Sequence, residues 1–373
     1  MSIEHQECKG GEKMVTAKKI VKLCGVLFLL VSVFNTFVPP TAGAASKEMI
    51  AAAIKEGELS WLDAIVVPPS AKVIAEAFKK EYGLPDTFKV NHERLGTGPL
   101  STRVAEEVKA NRITIDVFAA AVPTLYADLK DYGALLRYES PEYAHYTRAR
   151  SVGLFYEPGY WQSAVAYVFA PITNPKLYPK KIASWYDLLD PALKGEKISF
   201  PPVSTGGSPL YTYIGLRKIL PKSFFTDIYN QKVVYDRGSS VDATQQLTQG
   251  QVLVAITNPF RIMQTAAQTG VDLAAHFPKE GVALLGQPYG ILSKARHPNA
   301  AKLFIDFIFG EKGMKLYIDL EGTIAVRDGT KVPDKIKKYS PPLEEVNAIP
   351  MDWKTIDSRT ANQYQEEFKE IFK

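Results

Sequence analysis

The chain has 373 residues, more than one hydrophobic core ordinarily organises, so about two domains of roughly 100–200 residues are expected. Hydrophobic residues make up 46% and charged residues 23%, ordinary globular usage that excludes a disordered tail protein and a multi-span membrane protein. The net charge of +5 is scattered along the chain, so no basic stripe points to nucleic acid.

The first element in chain order is an export signal. Lys18, Lys19 and Lys22 precede an apolar run over 23–34, followed by the small residues Ala42-Gly43-Ala44. That run is about a dozen residues, short of the ~20 needed to cross a bilayer, so 1–44 reads as a signal peptide cut after Ala44. A periplasmic mature protein is expected. Met14 offers a second start, with Lys18 and Lys19 close behind it. Cys8 and Cys24 both precede the cut, so the mature chain should contain no disulfide, zinc-thiolate site or cysteine nucleophile.

Short apolar runs then alternate with amphipathic stretches. A buried strand is expected over 59–67, then a helix capped by Ser70 and closed at Gly83. Strand 87–94, the turn Gly96-Thr97-Gly98, a helix with Leu100, Val104 and Val108 on one face, strand 113–118 and a helix opened by Pro123 follow. A second series has Ser184 capping a short helix, strand 197–200, a turn-rich loop over 201–209 and a helix to about 220. Strand 232–236, helix 241–249, strand 251–257, helix 259–269 and strand 271–277 complete it. Strand 289–293, a helix opened by Pro298 and an amphipathic helix over 360–372 close the chain. The alternation implies parallel βαβ units with ligand loops at the strand C-terminal ends. Extended runs near 164–171 and 281–290 would cross twice between two α/β modules, forming a hinge and an inter-lobe cleft.

Several stretches carry a family resemblance in order along the chain. They are Ala77-Phe-Lys-Lys-Glu-Tyr-Gly83, Arg103-Val-Ala-Glu-Glu107 with Ile115-Asp-Val117, Tyr138-Glu-Ser-Pro-Glu142 and Gly159-Tyr-Trp161. Ser184-Trp-Tyr-Asp-Leu-Leu-Asp-Pro191 with Lys194-Gly195, and His297-Pro-Asn-Ala-Ala-Lys-Leu-Phe-Ile-Asp-Phe307, complete the set. Together, over about 55–330, they resemble the extracellular solute-binding proteins of ABC importers, in the branch of ferric-iron, phosphonate, polyamine and thiamine binders. The resemblance implies an α/β type II periplasmic-binding-protein fold with two discontinuous lobes joined by a hinge. Lobe 1 would comprise 45–165 and 285–330, and lobe 2 would comprise 166–284 and 331–373. It also implies a small-molecule solute, ABC permease and ATPase subunits as partners, a monomer, and neither catalysis nor a cofactor. Consistently, no Gly-x-Ser-x-Gly or Gly-x-x-x-x-Gly-Lys occurs.

Ferric binders of this kind are expected to use two adjacent tyrosines after a second-lobe strand. This chain reads Ala255-Ile-Thr-Asn-Pro-Phe-Arg261 there, and Pro259 and Phe260 cannot ligate a metal. The companion His and carboxylate give way to Pro68-Pro-Ser-Ala71 and Phe118-Ala-Ala-Ala-Val122, so no metal is expected at that site.

The ligand contacts expected instead centre on Ser204, Thr205, Gly206, Gly207 and Ser208, a turn between strand and helix whose backbone N–H groups could cradle an oxyanion. A plain helix cap with turn glycines accounts for the same stretch. The opposite wall would come from Ser70, Thr97, Gly98 and Ala121. Asn258 and Arg261 stand where the tyrosine pair is missing, and Arg261 could grip an oxyanion with two prongs. Trp161 and Tyr289 lie near the crossings and could stack on a ligand. The function expected is a receptor for a phosphonate, phosphate ester or carboxylate. The alternatives are a ferric or ferric-complex receptor with substituted ligands, a solute-sensing input to a membrane kinase, and a secreted hydrolase.

Overall fold

A computed structural model describes residues 45–235 and 240–373, so the expected signal peptide and both cysteines lie outside the described residues. Eleven strands form in this part of the chain. They are β1 (Glu58–Asp63), β2 (Lys89–Arg94), β3 (Val117–Ala119), β4 (Tyr156–Glu157), β5 (Trp161–Tyr167), β6 (Ala170–Thr173), β7 (Ile198–Ser199), β8 (Val254–Thr257), β9 (Ala274–Ala275), β10 (Leu285–Ile291) and β11 (Ile324–Ala325).

Two sheets result. The first runs β11-β5-β10-β3-β1-β2, with β4 flanking β5, and the second runs β7-β8-β6-β9. The expected parallel pairing holds for β1 with β2 and β3, and for β7 with β8. In contrast, β10 runs antiparallel to β3 and β5. The direction follows from connectivity, because β5 leaves the first sheet for β6 after two residues and β10 re-enters at that same end, with Leu285 opposite Tyr167. All seven residues of β10 are buried, so a stretch whose first part reads as a crossing is a central strand.

Local chemistry moves several element boundaries. The first strand stops at Asp63, because its carboxylate accepts the backbone N–H of Ile65 at 2.6 Å and of Val66 at 2.8 Å and turns the chain. The next helix therefore starts at Pro68, behind Val67, and Ser70 sits inside it instead of capping it. Among the described residues, the expected strand at 232–236 reduces to a single bridge between Ser199 and Val234. Helices Lys47–Glu56, Lys222–Asn230 and Glu311–Glu321 are additions to the sequence reading.

Under the first sheet, Phe78 packs edge-on against Phe304 at 5.3 Å, and Trp61 lies 4.7 Å from Phe304. The C-terminal helix Ser358–Ile371 packs on helix Gly207–Ile219, beside the second sheet. Phe368 and Phe372 stack on Phe200, and Arg217 pairs with Glu367 at 2.7 Å. Burying the Phe368 ring completely contributes on the order of 2–3 kcal/mol. Among the described residues, no helix is long and apolar enough to cross a membrane.

Candidate ligand-binding site

A cavity of about 330 Å³ opens where the strand ends of the two sheets face each other. Ala64, Ile65 and Arg94 come from the ends of β1 and β2, Tyr167 and Phe169 from the crossing, and Ser199, Ile256 and Asn258 from β7, β8 and the loop beyond. Loops just past strand C-terminal ends are where α/β sheets present ligand groups.

Two helix starts face each other across it. Helix Thr97–Lys109 opens with Gly96-Thr97-Gly98-Pro99, and helix Gly207–Ile219 opens with Gly206-Gly207-Ser208-Pro209. Neither has a side-chain cap, and the proline at the third helical position carries no N–H. The positive ends of both helices are thus turned toward the same space. Contact between them is close: the Ser208 N–H donates to Thr97 Oγ1 at 3.1 Å, and Tyr167 shares a 2.6 Å hydroxyl contact with Ser208. Gly206 has φ 74° and ψ −156°, a region open essentially only to glycine. At Gly207, a Cβ would lie 2.2 Å from Thr97 Oγ1.

The two guanidinium groups differ in setting. Arg261, 4% exposed, donates Nη2–H to the Ile65 carbonyl at 3.1 Å and Nη1–H to Gln264 Oε1 at 2.9 Å, and its plane lies over the Phe260 ring. Burial, reinforced by the like charge of Arg94, pushes its pKa down to about 10, so it remains cationic at neutral pH. Arg94 is half-buried at the end of β2. In both side chains Nε is buried and has no acceptor, and a buried unmet donor is a standing free-energy cost that an acceptor oxygen removes. No Asp, Glu, His or Cys lines the cavity among the described residues. Nor do three such side chains cluster anywhere among them as a metal site needs.

Of the residues expected from sequence, Thr97, Gly98, Thr205, Gly206, Ser208, Asn258 and Arg261 line this cavity. Asn258 donates its amide to the Val168 carbonyl at 3.1 Å, fixing the crossing beside the site. Ser70, Ala121, Trp161, Ser204, Gly207 and Tyr289 lie off the lining. The Ser70 hydroxyl bonds Glu321 instead. Trp161 is stacked on Phe155 at 4.9 Å inside the first sheet's core, where Ala121 is also buried. The fully buried Tyr289 gives its hydroxyl to Asp63 at 2.7 Å. The Ser204 carbonyl accepts from Gln365 of the C-terminal helix, and Gly207 is occupied by the contact with Thr97. Sequence reasoning missed Arg94, Tyr167, Phe169 and Ser240. Arg94 left a signal, since it ends a parallel strand just before the Gly96-Thr97-Gly98 turn.

The chain belongs to the bacterial extracellular solute-binding proteins, the family whose profile matches residues 68–318. Proteins of this family bind solutes for transport and are not enzymes. The fold is that of type II periplasmic binding proteins. It is similar to AfuA from Actinobacillus pleuropneumoniae with exogenous fructose-6-phosphate bound (TM-score 0.71, 19% identity, 85% of this chain and 98% of that one). Iron-bound HitA from Pseudomonas aeruginosa superposes with TM-score 0.69 at 18% identity, over 84% of this chain and 99% of that one. The substrate-binding protein of an ABC transporter from Agrobacterium tumefaciens has TM-score 0.69 at 14% identity, over 86% and 96%. No curated protein matches the sequence.

Proposed function

We propose that the chain is the periplasmic receptor of an ABC importer, and that its cavity captures a small solute carrying an oxyanion: a phosphonate, a phosphate ester or a carboxylate. The observation that carries this reading is a lining with two uncapped helix starts and two arginines with unmet Nε donors, and no carboxylate among its described residues. Charge-assisted hydrogen bonds contribute about 1.5–3 kcal/mol each, so a few supply most of the ~8 kcal/mol behind a micromolar receptor. Phe169, Phe200 and Phe260 give the solute's remainder an apolar wall.

Binding and closure are one event in this reading. The helix starts belong to different sheets, so a solute touches both only when the two sides are together, and it shifts the population toward that state. A permease would read the closed form, and an ATPase partner would supply the energy. The ferric alternative has nothing to support it at the position of the tyrosine pair, which Pro259 and Phe260 occupy.

A calorimetric and thermal-shift screen of phosphonates, phosphate esters, carboxylates, polyamines and ferric citrate tests the proposal. Anions should bind, and combining Thr205→Ala with Gly206→Ala should weaken the best of them at least tenfold, about 1.4 kcal/mol. Binding confined to polyamines or ferric citrate would overturn it.

A further inference from the structure

One buried carboxylate near the cavity, the partner of Ser70, makes contacts on both sides of it. Glu321 ends helix Glu311–Glu321 and is 0% exposed. That helix packs on helix Pro68–Tyr82 and on β11, so it belongs with the first sheet. Its carboxylate nevertheless faces helix Phe260–Thr269, which follows β8 of the second sheet. Glu321 Oε2 lies 3.7 Å from Arg261 Nη1 and accepts Gln264 Nε2–H at 3.1 Å. Gln264 in turn accepts from Arg261 Nη1 at 2.9 Å, closing a three-residue ring. The Val67 N–H at 3.1 Å and the Ser70 hydroxyl hold Glu321 from the first-sheet side. Arg261 Nη2 also crosses to the first-sheet side, at the Ile65 carbonyl. Both terminal nitrogens of Arg261 are therefore committed, and Nε alone is unmet.

We propose that Glu321 is a positioning residue for the anion site: it reaches across the cleft to fix the Arg261 guanidinium with its Nε–H in reserve for the solute. This rests on the anion-receptor reading above and deepens it, because the arginine takes its binding orientation only when the two sides of the cleft are together. A lone arginine on the second side would bind an anion in the open state as well. An arginine oriented from the first side couples binding to closure. Glu321 acts through Arg261 and touches no solute itself.

The test uses the mature chain and two readouts. In the ligand-free wild type, the Arg261 Nε–H resonance, assigned with Arg261→Lys, should be protected from solvent exchange. Glu321→Ala should lose that protection at least tenfold, and the isosteric Glu321→Gln should restore most of it. Calorimetry with sulfate should show at least a tenfold weaker affinity in Glu321→Ala and a value within threefold of wild type in Glu321→Gln. An Nε–H equally protected in Glu321→Ala, or unprotected in the wild type, would overturn the positioning role. Failure of sulfate and the other anions to bind the wild type would instead overturn the anion reading, with the resonance still deciding the role of Glu321.

Discussion

The two helix starts at the cleft share a composition and differ in what they do with it. Gly96-Thr97-Gly98-Pro99 places a hydroxyl at its first helical position, whereas Gly206-Gly207-Ser208-Pro209 places a bare glycine there. The first fills the second, with Thr97 Oγ1 accepting the Ser208 N–H. In the proposed receptor a solute oxygen would compete for that N–H. One side supplies the acceptor, and the other has the space that admits it. Affinity then measures how much better the solute satisfies these donors than a threonine hydroxyl does.

The largest effect should come from removing the cation that both sides share. Arg261→Ala leaves Glu321 buried without its ion pair and should lower unfolding free energy by about 3–5 kcal/mol in denaturant melts, while abolishing anion binding. A control away from the cleft is Asp306, whose carboxyl is pushed up to about 6, first by burial and then by the charge of Glu142, against hydrogen bonds from Ser140 and Tyr138. Its pKa is raised on folding, so its stabilising contribution is fully present below its ordinary value of 3.8 and is lost as pH rises through about 6. Asp306→Asn should remove that dependence, up to about 3 kcal/mol across the window, and leave anion affinity unchanged. A matching change in affinity would break the separation between core and cleft.

Gly207→Ala tests the bare side directly. Its φ of +63° and the 2.2 Å approach of a Cβ to Thr97 Oγ1 should cost about 1–3 kcal/mol in the closed state. Scattering should then show a larger radius of gyration, and affinity should fall at least tenfold. The smallest effect belongs to Thr97→Ala, which removes the acceptor for the Ser208 N–H and its 3.5 Å contact with the Ser208 hydroxyl and should lower ligand-free stability by about 1 kcal/mol, with Thr97→Ser restoring it. Because a bound anion replaces that acceptor, the loss should shrink in saturating ligand. An undiminished loss would show that the hydroxyl is structural and not a stand-in.

What the sequence disclosed follows from how local each signal is. The opening of helix Pro298–Phe309 at Pro298, the Ser184 cap and the turn at Gly96-Thr97-Gly98 that opens helix Thr97–Lys109 are short-range chemistry, and the structure has all of them. The order of the strands, and so the antiparallel entry of β10, depends on pairings more than a hundred residues apart. Tyr167 was hidden for the same reason, since it is an ordinary strand-end residue until the opposite sheet arrives. Ser70, Trp161 and Tyr289 were misleading in the other direction: their polar or aromatic character serves Glu321, Phe155 and Asp63.

The interleaving of the two sheets bears on how the molecule is made. The first sheet cannot be completed before β10 and β11 exist, and the rings that cover Phe200 come from Phe368 and Phe372, at the very end of the chain. When a ribosome has released only the first two hundred residues, both cores are unfinished. Such long-range closure slows folding, so the architecture itself delays completion of both cores until the last turn is free.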